Sequence, residues 1–193
     1  VGPGQERQRA QDERRREELY QGQLLVYSPR KSTLAFIEFA RKLIKEAFAP
    51  HDPETAQQHL PVEQYADLLG KLKPNFIHHS ESKSLMRDIF DEMGCNLEKT
   101  YFDVPKMRSS TSDNYLTTGI AYAWHPHRDT WYSAPACQIN WWIPIYDIQS
   151  NNAMAFHPQY WNAPVKNSSK GYNYYTWNQQ NRGTHVAKFI KED

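Results

Sequence analysis

Two histidines and an aspartate lie close together in the stretch AYAWHPHRDTWYS, which runs from Ala121 to Ser133. His127 and Asp129 form an H-x-D triplet that follows an aromatic segment. Because alternate side chains of an extended chain share a face, His127 and Asp129 can point at one ion while Arg128 points away. This geometry suits the 2-His-1-carboxylate triad, which leaves coordination sites of Fe(II) open. The triplet predicts two of three metal ligands, and a histidine on another strand would be the third.

His125 lies on the same alternating face, so a metal site could instead use His125 and His127. Gly119, five further residues and then His125-Pro126-His127 fit the first part of the cupin pattern. The glutamate that this pattern expects soon afterwards is absent, and no P-x-G with a following histidine appears later. A cupin-type metalloenzyme is therefore ranked lower, although both interpretations imply a double-stranded β-helix. Alternatively, the histidines belong to a solvated turn that Asp129 caps.

Size and charge limit the classes of protein to which the chain could belong. Its 193 residues, of which 39% are hydrophobic, are enough for one domain with a core. The 23 basic residues nearly balance the 22 acidic ones, so neither nucleic acid nor an anionic membrane is an expected partner. We expect a small-molecule substrate. The sequence gives no indication of the oligomeric state.

The sequence also predicts the compartment, since no run approaches the ~18 apolar residues that a membrane span needs. The N-terminus lacks the pattern of a secretory signal. Cys95 and Cys137 lie far apart and neither belongs to a CxxC pair, so we expect free, buried thiols in a reducing compartment. The sequence predicts a soluble, cytoplasmic protein.

Helices are predicted in the first half of the chain. Mixed charges between Gln5 and Gln21 indicate a charged N-terminal helix or arm over residues 1–22, with little contribution to a core. QLLVYSP is typical of a short strand. Helical spacing of apolar residues predicts a helix in TLAFIEFARKLIKEAFA, with Ser32 as N-cap and Pro50 as its stop. Two more are predicted in VEQYADLLGKLK and SKSLMRDIFDEMG, the last ending at Gly94.

Beyond Gly94 the composition favours strands. The segments KTYFDVPKMRSS, YLTTGIAYAW and ACQINWWIPIYDI are rich in Tyr, Trp, Ile and Thr and are separated by polar or proline-containing turns. Residues 23–193 are therefore interpreted as a single domain with a helical part, 23–96, and a β part, 97–193. Helices followed by strands predict an α+β fold.

The segment from Cys137 to Trp161 carries a resemblance to a known family. WWIPIYDI and SNNAMAFHPQYW resemble, in order and spacing, the motifs that follow the H-x-D turn in Fe(II)/2-oxoglutarate oxygenases of the phytanoyl-CoA dioxygenase type. The resemblance covers about residues 115–161. It implies a double-stranded β-helix, a cupin-like jelly-roll with N-terminal buttressing helices. It also implies Fe(II) and 2-oxoglutarate as cofactors, and hydroxylation of a small molecule with succinate and CO2 as co-products.

The family's distal histidine and its co-substrate arginine are not found. His157 occupies a turn that does not supply an iron ligand in the family. His185 lies in a polar segment, and Arg182 precedes it, which is the wrong order. We therefore expect the barrel to be incomplete, with its C-terminal part missing. The assigned metal ligands and catalytic residues are His127 and Asp129.

One face of the strand CQINWWIPI is predicted to bind the co-substrate. Gln138, Asn140 and Trp142 share this face, and the two amides favour contact with iron and 2-oxoglutarate. Trp141 and Trp142 could equally fill a core.

The aromatic residues around the triplet have two interpretations, because they could wall a substrate pocket or serve as packing. They are Tyr122, Trp124, Trp131 and Tyr132. The competing function class is a non-catalytic binding or structural module on a partial β-helix, whose charged N-terminal segment contacts another chain.

Overall fold

A computed structural model describes residues 3–113, 115–116, 126–167 and 169–173. The α-helices among these residues are α1 (Pro3–Tyr20), α2 (Lys31–Phe48), α3 (Val62–His78) and α4 (Ser80–Glu92). Short 3-10 helices span Ala56–Gln58, Asp129–Tyr132, Pro158–Tyr160 and Ser169–Gly171. The chain divides into two compact units, one of Val1–Thr111 with Ile143–Ala153 and the other of Ser112–Trp142 with Met154–Asp193.

Aromatic side chains from α2 and α3 form much of the core of the first unit. The ring centroid of Phe76 lies 5.6 Å from that of Phe36 and 6.2 Å from that of Phe39. Further along the same helices, Phe48 and Tyr65 have centroids 5.2 Å apart. All five side chains are buried, and full burial of one such side chain stabilises the fold by roughly 1.5–3 kcal/mol. The amphipathic patterns therefore predicted these helices correctly.

The predicted bounds of the helices need one adjustment. The sequence favoured an end of α3 before Pro74, yet the helix continues through Pro74 to His78. A proline inside a helix costs a hydrogen bond, but the added turn brings Phe76 into the core. Gly94 has φ 74° directly after α4, and the Cys95 N–H donates to the Phe90 carbonyl at 2.8 Å, as the predicted helix end requires.

The predicted α+β double-stranded β-helix, a cupin-like jelly-roll with an incomplete barrel, is wrong for the residues that the structure describes. These residues form helices, turns and extended segments without a strand. Aromatic and β-branched residues favour strands only where a neighbouring strand offers a pleated surface for packing. Here local turns take up backbone groups instead, as in the bonds from Trp131 N–H to the Arg128 carbonyl and from Gln138 N–H to the Pro135 carbonyl.

The segment Ile143–Ala153, part of a predicted strand region, belongs to the helical unit rather than to a sheet. Arg41 of α2 donates from Nε to the Ile145 carbonyl at 2.7 Å. The Arg41 guanidinium carbon also lies 5.5 Å from the centroid of the Tyr146 ring. A helix thus takes the place that the sequence assigned to a neighbouring strand.

Among the described side chains of α1, residues 10–20, one is buried in the first unit. Its charged surface carries the expected ion pairs, such as Arg14 Nε to Glu18 Oε1 at 2.7 Å. Arg15, however, is only 4% exposed and donates to the Met93 carbonyl and to Tyr27 Oη, the latter at 3.1 Å. None of the described helices is both long and apolar enough to cross a membrane.

Candidate metal centre

The H-x-D triplet has the local geometry that its alternation predicts. Arg128 is extended, with φ −108° and ψ 136°, and it precedes the 3-10 helix Asp129–Tyr132. His127 Nε2 consequently lies 3.2 Å from Asp129 Oδ1. The side chains are 25% and 44% exposed, respectively, so solvent reaches both. The triplet therefore presents an imidazole nitrogen and a carboxylate oxygen side by side at an accessible surface.

Two side-chain amides form a hydrogen-bonded chain with Asp129. Asn140 Nδ2 donates a hydrogen bond to Asp129 Oδ2, and Gln138 Nε2 donates to Asn140 Oδ1 at 2.7 Å. Each amide thus has a defined orientation, because its partner accepts from nitrogen or donates to oxygen. We refer to His127, Asp129, Asn140 and Gln138 as the polar cluster. It unites four of the five residues that the sequence assigned to the site.

Aromatic residues flank the polar cluster. The Tyr132 ring meets the His127 ring edge to face, with centroids 5.3 Å apart, and meets the Tyr172 ring similarly at 5.4 Å. Burial raises the pKa of the Tyr132 phenol, and the nearby Tyr172 and Asp129 add to this rise. Tyr132 is therefore neutral at physiological pH. Trp131 is buried against Tyr132 and Val165, so it serves as packing rather than as a pocket wall.

The remaining predicted residues are not brought into this arrangement by any described contact. Trp142 is 48% exposed. His157 precedes the 3-10 helix Pro158–Tyr160 and its ring lies 6.3 Å from that of Tyr160, as expected for a turn residue. The alternative ligand His125, the candidate pocket residues Tyr122 and Trp124, and the downstream Arg182 and His185 lie outside the described residues. In the described part of the chain, no three His, Cys, Asp or Glu side chains form a group that could hold a metal.

The donors of the polar cluster fit two adjacent positions on a divalent metal. With metal–ligand bonds of about 2.1 Å at right angles, two ligand atoms lie about 3 Å apart. His127 Nε2 and Asp129 Oδ1 match this separation at 3.2 Å. Asn140 donates to Oδ2, so Oδ1 is the carboxylate oxygen that faces the imidazole nitrogen. Without a metal, the same distance suits a hydrogen bond between imidazole and carboxylate.

The sequence did not predict the position of Tyr172 near the polar cluster or the hydrogen bond between Asn140 and Asp129. Tyr172 is separated from the triplet by about forty residues, and no spacing rule connects the two. Asn140 was predicted to face the iron site, but its bond to Asp129 depends on a turn between them rather than on neighbouring strands. Comparison with known proteins finds no matching family model, curated protein or solved structure. Function must therefore be inferred from the chemistry of the cluster.

Proposed function

We propose that the chain contributes His127 and Asp129 as two of the three protein ligands of a non-haem Fe(II) centre. The enzyme would be a 2-oxoglutarate-dependent oxygenase that hydroxylates a small molecule. One observation carries this proposal, namely the 3.2 Å separation between His127 Nε2 and Asp129 Oδ1. The identity of the third protein ligand is open, because the described residues supply no group of three metal ligands.

The residues of the polar cluster have distinct roles in this proposal. His127 binds the metal as neutral imidazole, and Asp129 binds through Oδ1 while Asn140 keeps Oδ2 engaged. Gln138, Asn140 and Trp142 remain the predicted contacts of 2-oxoglutarate. When bound, Fe(II) and 2-oxoglutarate supply the activation of dioxygen that hydroxylates a C–H bond, with release of succinate and CO2.

Several further features support this assignment. The ligand pair is accessible to a metal and to a co-substrate, since both side chains are partly exposed. Cys95 and Cys137 are both free thiols, which supports a reducing, cytoplasmic location, although Cys137 is exposed rather than buried as the sequence predicted. The near balance of 23 basic and 22 acidic residues supports a small-molecule substrate over nucleic acid.

The experiment is an anaerobic mixture of protein, Fe(II) and 2-oxoglutarate that is then exposed to oxygen, with succinate as the measured product. We expect succinate even without the substrate, provided that an added reductant such as ascorbate supplies the two electrons that the substrate would otherwise give. His127→Ala and Asp129→Ala should reduce succinate to the level of a protein-free mixture.

Matched controls are His78→Ala and Asp88→Ala, which remove an exposed histidine and an exposed aspartate from α3 and α4. Both should retain the wild-type rate. Equal succinate from the wild-type protein and from Asp129→Ala would contradict the proposal.

A second candidate function is a non-catalytic binding or structural module. The observation in its favour is the helical first unit, since an oxygenase of the resembled family would need a sheet. A folded wild-type protein that binds no Fe(II) and forms no succinate would support this alternative. The two functions are thus separated by the same experiment.

A further inference from the structure

Arg128, the central residue of the triplet, makes its described contacts with residues outside the polar cluster. Its Nη2 donates to the Tyr160 carbonyl and, at 2.7 Å, to the Ala163 carbonyl. Its guanidinium carbon lies 5.9 Å from the centroid of the Trp131 ring. The side chain is partly buried by these contacts. Arg128 thus joins the triplet to the segment that follows Pro158.

The acceptors explain why an arginine fits at this position. Tyr160 ends the 3-10 helix Pro158–Tyr160, and carbonyls at a helix end lack partners within the helix. The planar guanidinium presents several N–H donors in a fixed plane and can stack on an aromatic ring at the same time. Lysine has a single ammonium on a flexible stem, so it can reproduce the charge but not the whole arrangement.

We infer that Arg128 is a positioning residue of the candidate metal centre. Its hydrogen bonds to the Tyr160 and Ala163 carbonyls fix the backbone from which the His127 and Asp129 side chains project. In an extended triplet, a rotation of the central residue moves both neighbouring side chains. Loss of Arg128 therefore loosens the 3.2 Å pair and the bond from Asn140 to Asp129. The link to metal binding rests on the proposed function.

The test uses Arg128→Met, Arg128→Lys and the control Arg87→Met, which removes an exposed arginine from α4. The first readout is the Co(II) dissociation constant from calorimetry, with Co(II) in place of Fe(II). The second is the NMR signal of the Asn140 side-chain amide in metal-free protein. A merely structural role of Arg128 would not change these readouts in a protein with unchanged circular dichroism.

We expect Arg128→Met to weaken Co(II) binding by about tenfold, the lower end of the effect seen when a group that orients a metal ligand is lost. We also expect its Asn140 amide signal to move toward that of a free amide. Arg128→Lys should recover part of both effects, and Arg87→Met should show neither. If Arg128→Met does not fold, Arg128→Lys decides the matter through a smaller change in the same direction.

The two proposals can fail separately. If wild-type protein does not bind Co(II), the metal function is contradicted, and the Asn140 amide alone then tests the positioning role. An amide signal that is unchanged in Arg128→Met, or in Arg128→Lys should the methionine variant not fold, overturns the role of Arg128. A Co(II) dissociation constant of Arg128→Met within about twofold of the wild-type value also overturns the role of Arg128.

Discussion

Asp129 combines two functions at the scale of single residues. Its Oδ1 faces His127 Nε2 at 3.2 Å, while its Oδ2 accepts from Asn140 Nδ2. A carboxylate that is held through one oxygen can offer the other to a metal in a fixed direction, which reduces the reorganisation needed for binding. Gln138 orients the Asn140 amide in turn. If the proposed metal centre exists, its affinity should therefore depend on Asn140, although Asn140 is not one of the proposed ligands.

Replacement of Asn140 tests this dependence. Asn140→Ala removes the donor to Asp129 Oδ2 and should weaken Co(II) binding roughly 10-fold, with an unchanged fold. The measurement is calorimetric titration at constant pH. Asn75→Ala, which removes an exposed asparagine of α3, is the control. An affinity equal to that of wild type in Asn140→Ala would show that the bond to Asp129 does not prepare the ligand.

Local spacing predicted part of this site. The alternation of an extended triplet was enough to place His127 beside Asp129. It could not predict which contact Arg128 makes on its other side, because the acceptor carbonyls of Tyr160 and Ala163 come from a distant turn.

At the scale of elements, Glu92 joins the end of α4 to the start of α2. Its carboxylate accepts hydrogen bonds from the Ser32 hydroxyl and, at 2.9 Å, from the Ser32 N–H. The Glu92 carbonyl accepts from Arg30 at 3.0 Å. The first N–H groups of a helix have no partner within it, so a carboxylate from α4 serves as the cap of α2. These hydrogen bonds lower the pKa of Glu92 below its usual value, and Arg30 contributes to the shift.

This shift predicts a pH dependence of stability. Because the pKa of Glu92 is lower in the folded than in the unfolded state, its contribution is present above the unfolded pKa and disappears as the pH falls through the folded pKa. Glu92→Gln should therefore unfold at a lower temperature than wild type at neutral pH, and the difference should vanish in acid. Thermal unfolding followed by circular dichroism at several pH values measures this. Glu46→Gln, on an exposed position of α2, is the control. A difference that is independent of pH would refute the role of the carboxylate.

Among the described side chains of α1, Arg15 makes buried contacts with residues outside the helix. Its guanidinium reaches the Met93 carbonyl, Tyr27 Oη and, at 3.4 Å, Cys95 Sγ. Hydrogen bonds from a charged donor contribute about 1.5–3 kcal/mol each when buried. The hydrogen bonds of the buried Arg15 guanidinium can thus attach α1, which has few apolar side chains, to the rest of the first unit.

Replacement of Arg15 should release α1 while α2, α3 and α4 remain folded. Arg15→Met should lower the free energy of unfolding by about 2 kcal/mol and should make α1 sensitive to protease. Urea unfolding and limited proteolysis measure the two effects. Arg14→Met removes only a surface ion pair and should change stability by less than about 1 kcal/mol. Equal protease resistance of α1 in wild type and Arg15→Met would be the contrary result.

At the scale of the whole molecule, helices were predictable and the β part was not. Helical periodicity is a local property, and residues such as Phe36, Phe39 and Phe76 specify their buried face by spacing alone. A strand needs a partner that spacing cannot supply, and the aromatic segment around Tyr146 contacts Arg41 of α2 instead. The oxygenase function therefore remains a proposal that rests on the H-x-D triplet. The fold that the resemblance implied is not found among the described residues.

The most direct test of the central claim is a Co(II) titration of the wild-type chain beside His127→Ala and Asp129→Ala, followed by calorimetry and visible absorption. We predict one bound Co(II) per wild-type chain, with d–d bands that indicate nitrogen and oxygen ligands. Either substitution should remove these bands while the helical circular dichroism is retained. Identical titrations of all three folded proteins would contradict the assignment of His127 and Asp129 as metal ligands.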